Sequence, residues 1–261
     1  MQSLILTLAM MTFGTGCTSM KSVNASETEI SVLGRSEPSS ILKVAQNYDI
    51  KDFSRWKLDG TTVIFNGGLA KGDCQQFIGH INPKTTSLKV NSSGGDAFEG
   101  LCIANEMLKR RFEKTIVKGI CVSSCANYLF LGSNQRIIER GIVGYHGNIT
   151  ALFERDPTNQ ALRKQLAEAH IDLQEIERIA SKFIGEQQAQ SVLEQRFLHE
   201  IGVSQELFER TQTPDKGAGD GKNYTFLLPS LGTFTRYGVA RVSGDQEFAL
   251  GQSMGMTNLL Q

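Results

Sequence analysis

Two hydrophobic periods alternate along this chain. TTVIFNG (61–67), SLKVNSS (87–93) and TIVKGICV (115–122) are short, apolar and β-branched, as strands buried in a sheet should be. Between them, GDCQQFIGHI (72–81) turns Phe77 and Ile78 inward, and AFEGLCIANEMLKRR (97–111) sets Phe98, Leu101, Cys102, Asn105, Met107 and Leu108 at helical spacing. Strand–helix alternation of this kind predicts an α/β fold of repeated ββα units with mainly parallel pairing. ANYLFLG (126–132) reads as a short helix ending at Gly132, followed by two short strands, the second carrying His146 in VGYHG. Residues 151–200 read as a helical arm. Its apolar positions Leu162, Leu166, Ala169, Leu173, Ile176, Ile179 and Phe183 predict one buried face, with a break at Pro157 and another at Gly185.

The ends of the chain have a different texture. The first sixteen residues are uncharged and apolar, enough for a signal-peptide core and too short for a comfortable membrane span. Cys17 follows in TGCTS, which resembles a lipobox and predicts lipidation of that cysteine, although no Lys or Arg precedes it and Gly14 replaces the usual leucine. Residues 18–55 are polar and irregular, a tether between an anchor and a domain. The organisation expected is a leader over 1–17, a linker over 18–55, a domain over 56–242 and a mobile tail over 243–261. These features predict export to the periplasm or cell envelope, with membrane attachment through the lipid.

Charge and cysteine content narrow the partners. Lys+Arg and Asp+Glu balance at 27 each, so the chain lacks the basic footprint of a nucleic-acid binder. Apart from Cys17 there are Cys74, Cys102, Cys121 and Cys125, which permit two disulfides in an oxidising compartment or four buried thiols. Cys121–Cys125 would brace one turn and Cys74–Cys102 would join two helices. None of the pairs has C-x-x-C spacing, so no metal site is expected, and no cofactor-binding motif is present.

The candidate chemistry sits where TIVKGICV gives way to ANYLFLG. A serine at a strand-to-helix turn exposes its Oγ and has helix N-terminal amides behind it to receive an oxyanion. Ser123 and Ser124 occupy that turn, and His146 follows Ser123 by 23 residues in a glycine-flanked strand. Upstream, NSSGGDAFEG (91–100) runs a strand into Gly94-Gly95, whose amides carry no side chain in the way. These two stretches together, with the turn Cys121-Val122-Ser123-Ser124-Cys125, resemble the Clp-type and signal-peptide-peptidase serine peptidases of the ClpP/crotonase superfamily. The likeness is nearest to secreted Clp-like proteins with a C-x-S-x-C turn and covers roughly residues 58–242.

The resemblance implies a ClpP/crotonase-like fold, hydrolysis of peptide or protein substrates, and a homo-oligomer assembled through the 151–200 arm. It implies Ser123 as nucleophile, with Ser124 as the alternative, and His146 as base. The oxyanion donors would be Ser124 and either Gly95 or Gly94. Asp215 in TQTPD stands at the family's aspartate position, with Asp220 and Asp172 competing. A Ser/Lys dyad using Lys182 or Lys118 is a variant of the same chemistry. Two further readings differ in kind: a non-catalytic scaffold at the cell envelope, and an acyl-CoA enzyme, which conflicts with export and finds no basic cluster for adenosine phosphates.

Overall fold

The computed structural model describes residues 55–212 and 226–258. Cys17, Asp215 and Asp220 lie outside these residues. In chain order the elements are β1 (Trp56–Asp59), β2 (Thr62–Asn66), α1 (Asp73–His80), β3 (Ser87–Ser92), α2 (Ala97–Lys109), β4 (Lys114–Val122) and a π-helical turn (Cys125–Leu129). Then come β5 (Gln135–Gly144), α3 (Ile149–Arg155), α4 (Gln160–Glu168), α5 (Leu173–Ile201), α6 (Glu206–Thr211) and β6 (Leu227–Leu228). The last four are α7 (Leu231–Arg236), β7 (Val242–Gly244), α8 (Phe248–Ser253) and β8 (Thr257–Asn258).

The protein is mixed α/β. A six-stranded sheet runs in the order β1-β2-β3-β4-β5-β7, antiparallel only between β1 and β2. Val63, Phe65, Leu88, Val90 and Val117 are buried in it, which is why these strands read as apolar runs. Trp56 stacks on Phe65 with ring centroids 4.2 Å apart, and its indole N–H donates to the buried Asp73 carboxylate at 2.9 Å. Arg55, expected at the end of the linker, is hydrogen-bonded to the same carboxylate.

Two local devices fix the first helices. Glu99 accepts from the amides of Gly72 (2.9 Å) and Cys74 (2.8 Å), capping α1 from α2, and the Cys74–Cys102 disulfide joins the same pair. Asp96 caps α2 through the amides of Phe98 and Glu99. The second bridge is Cys121–Cys125, and both pairs fit an oxidising, exported environment. No helix among the described residues is long and apolar enough to cross a membrane.

Four expectations change. The two short strands before His146 are one strand, β5, with an extra residue at Glu139: Val117 pairs with Ile138 and Lys118 with Arg140. Gly185 does not break α5, which runs on through it between buried residues at Ile176 and Ala180 on one side and Ser191 and Glu194 on the other. Leu162, Leu166 and Ile176 form a small cluster with Ile179 and Phe183, but Leu173 is 73% exposed and Ala169 is exposed as well. The stretch after Val242 is no loose tail over its described part. Gln246 accepts from the Val143 amide at 2.6 Å, Met256 is buried, and β8 pairs in parallel with β6.

Candidate active site

The site begins with a defect in the sheet. Val90 pairs with Val117, but Ser92 pairs with Cys121, so four steps along β4 face two along β3. Asn91 fills the gap, its Oδ1 accepting from the Ile120 amide at 3.0 Å. Gly119 makes room with φ +109°, since a Cβ there would lie 2.5 Å from Asn91 Oδ1. Such a bulge bends its strand and re-aims the residues beyond it. The first residue past the end of β4 is Ser123.

Ser123 has φ +57°, in the left-handed region that a non-glycine residue seldom adopts. Its amide donates to Gly144 O at 3.0 Å and its carbonyl accepts from the Asn127 amide at 2.9 Å, so the residue is pinned on both sides. The Cys121–Cys125 bridge, with Cα atoms 5.2 Å apart, closes around it. His146 is held as firmly. Tyr145 exchanges two backbone hydrogen bonds with Leu227 (2.9 and 2.8 Å). Gly147 donates to Thr211 Oγ1 at 3.1 Å and accepts from Asn127 Nδ2 at 2.8 Å.

Between these anchors Ser123 Oγ and His146 Nε2 stand 2.6 Å apart. The ring of Phe226 meets the imidazole edge-on, with centroids 5.0 Å apart. Burial, and secondarily the positive charge of Arg155, hold the His146 pKa below its ordinary value. At neutral pH the imidazole is therefore uncharged and able to accept a proton.

The neighbouring residues sort themselves by what they are already bonded to. Ser124 is buried and its Oγ donates to Gly95 O at 3.0 Å, so that hydroxyl is engaged away from His146. Gly94 N–H donates to Ser92 Oγ at 3.1 Å. The amides of Gly95 and Ser124 donate to no acceptor among the described residues. The glycine pair is clamped: a Cβ on Gly94 would sit 2.7 Å from Ser123 Cβ, and one on Gly95 would sit 2.2 Å from Leu69 O. No side chain other than hydrogen fits between the serine turn and the loop around Leu69.

Asp172 is placed elsewhere, as the N-cap of α5, accepting from Gln174 N (3.0 Å) and Glu175 N (3.1 Å). Lys118 and Lys182 are both solvent-exposed. No carboxylate among the described residues hydrogen-bonds to His146, and none of their His, Cys, Asp and Glu side chains cluster to hold a metal. His80 bonds only Gln76 O, and His170 and His199 are exposed.

Sequence reasoning missed several supports of this site: Asn91, Asn127, Thr211 and Phe226. Asn91 opens the NSSGG stretch and could have been suspected from its place before the glycines. Thr211 and Phe226 carry no local signal, because each reaches His146 or its neighbour only through the tertiary fold. No family model and no curated protein matches this chain.

Proposed function

We propose that this chain is an exported serine hydrolase of peptide bonds with a ClpP/crotonase-like arrangement. The observation that carries the reading is the 2.6 Å contact between His146 Nε2 and Ser123 Oγ, on a serine whose φ is positive. A reactive serine needs a base in hydrogen-bond reach and donors where an oxyanion develops. His146 takes the Ser123 proton as Oγ attacks the carbonyl carbon. The resulting oxyanion is received by the amides of Gly95 and Ser124. His146 then passes the proton to the leaving amine, and water, activated by the same imidazole, releases the acyl group. Ser124 contributes its backbone and not its hydroxyl, which holds Gly95 O instead.

The fold supports the reading at a coarser level. β2, β3 and β5 are each followed by a short bridge outside the main sheet, at Leu69, Gly95 and Tyr145, and then by α1, α2 and α3. That is the rhythm of ββα units. Asp215 is proposed as the group orienting His146, Cys17 as the lipid anchor, and the 151–200 arm as the contact of a homo-oligomer. The periplasmic face of the cell envelope is the proposed location, and no cofactor or nucleic acid enters the reaction.

A fluorophosphonate probe tests this on the oxidised, full-length chain. Wild-type protein should be labelled, Ser123→Ala should abolish labelling, and His146→Ala should lose it nearly as completely. Gly95→Ala should slow labelling by on the order of 10²-fold, because the added Cβ must displace an oxyanion donor. A folded, oxidised wild-type protein that no serine probe labels would overturn the reading and leave the non-catalytic scaffold.

A further inference from the structure

Helix α5 places a carboxylate in the interior of the domain. Glu194 is fully buried on the face that also carries Ser191, Phe197 and Leu198. Its Oε1 accepts from Tyr128 Oη at 2.5 Å and from the Ile149 amide at 3.3 Å; its Oε2 accepts from the Thr150 amide at 2.7 Å. Beside it, Thr150 Oγ1 and Ser191 Oγ are 3.0 Å apart. Three segments therefore meet on one side chain. Tyr128 belongs to the π-helical turn that follows Ser123, Ile149 and Thr150 open the helix that follows His146, and Glu194 belongs to the arm.

A buried carboxylate is a costly way to fill space. Removing it from water costs several kcal/mol unless donors replace the solvent, and an apolar side chain would pack the same position without that cost. What an apolar side chain lacks is direction. Hydrogen bonds to a hydroxyl and two amides fix distances and angles, whereas packing tolerates sliding. The two segments fixed here carry the nucleophile and the base. A second tie, Asn127 Nδ2 to Gly147 O, joins the same two segments, so the turn and the loop are cross-linked twice.

We propose that Glu194 is a positioning residue: from the arm, it holds the turn after Ser123 and the loop after His146 in the register that brings Oγ and Nε2 together. Seating of α5 is then part of building the site. The kinetic half of this inference rests on the serine-hydrolase reading; the spectroscopic half does not.

The experiment uses the full chain with its disulfides intact and compares Tyr128→Phe, Glu194→Gln and, as a packing control on the same helix, Leu198→Ala. Tyr128→Phe removes one hydroxyl and keeps the ring that packs edge-on against Phe197 at 6.3 Å, so the fold should survive even where Glu194→Gln does not fold. Phosphonylation by a small fluorophosphonate is resolved into a saturating rate and a half-saturating concentration. The imidazole nitrogen resonances of His146, assigned with His146→Gln, are followed in parallel. Tyr128→Phe and Glu194→Gln should lower the saturating rate at least tenfold, leave half-saturation unchanged, and shift the His146 resonance as its contact with Ser123 lengthens. Leu198→Ala should lower the melting temperature and move neither readout. Tyr128→Phe with wild-type rate and an unmoved imidazole signal overturns the proposal and leaves Glu194 a stabilising residue only. Should wild-type protein take no probe at all, the hydrolase reading fails, and the imidazole shift alone decides the positioning role.

Discussion

Ser123 and His146 are each held by backbone on both sides, so their contact is a property of the folded chain and not of two mobile side chains. The imidazole of His146 is also biased toward its neutral form. Burial, with Phe226 against the ring, and the nearby Arg155 depress its pKa from the ordinary 6.5. Probe labelling should therefore persist as pH falls below 6.5, with its half-point under that value. Phe226→Ala admits water to the imidazole and should move the half-point up toward 6.5, read from the pH dependence of the labelling rate. Stability depends on the same group. Between 6.5 and the lower native value the unfolded chain binds the proton and the native one does not, so stability falls as pH falls through that window. A half-point at or above 6.5 in the wild type would contradict the burial argument. The meeting of Ser123 with His146, and the glycine pair beside them, could be read from the sequence because residue type and short spacing carry that signal. Asn91 and Phe226 could not, because what each does is set by a neighbour 29 residues away or by a ring brought in from the far end of the domain.

Among the elements, strands and helices were legible wherever a single period held over the segment. Residues 135–144 failed that condition. Two short strands were expected here, yet one bulge at Glu139 absorbs the irregularity and β5 continues. Gly185 misled in the opposite sense, since glycine weakens a helix without necessarily ending it. At 29 residues, roughly 43 Å by the usual rise, α5 is secured by Asp172 at its start, by buried contacts along one face, and by Gly202 at φ +71° beyond its end. A Cβ at Gly185 would meet nothing within 4 Å. Gly185→Ala should accordingly raise the unfolding free energy by about 0.5–1 kcal/mol, measured as an increase in the urea midpoint with an unchanged slope. A lower midpoint would mean that the glycine serves a contact absent from the single chain. Periodicity also hid Glu194: a helical wheel announces apolar residues as the buried face and says nothing of a carboxylate among them.

For the molecule as a whole, the two disulfides do different work, and this separates stability from chemistry. Cys74–Cys102 spans 28 residues and Cys121–Cys125 only 4. If a bridge acts by restricting the unfolded chain, the long loop contributes roughly 3–4 kcal/mol and the short one about 2 kcal/mol. Their positions reverse the ranking for function. The long bridge ties α1 to α2 at the edge of the core, with Glu99 already capping α1 across the same gap. The short one encloses Ser123, both of its cysteines are fully buried, and it joins the end of β4 to the turn that follows Ser123. Cys74→Ala/Cys102→Ala should therefore lower the urea midpoint more and leave probe labelling close to wild type at temperatures where the fold persists. Cys121→Ala/Cys125→Ala should cost less stability yet slow labelling by at least tenfold, because a positive-φ serine released from its ring can relax to a commoner backbone conformation and carry Oγ away from His146. Measuring both quantities on both double variants makes the comparison internal. Equal labelling rates in the two, once each is shown to be folded, would assign the Cys121–Cys125 bridge to stability alone and leave the bulge at Gly119 and Asn91 to hold the turn.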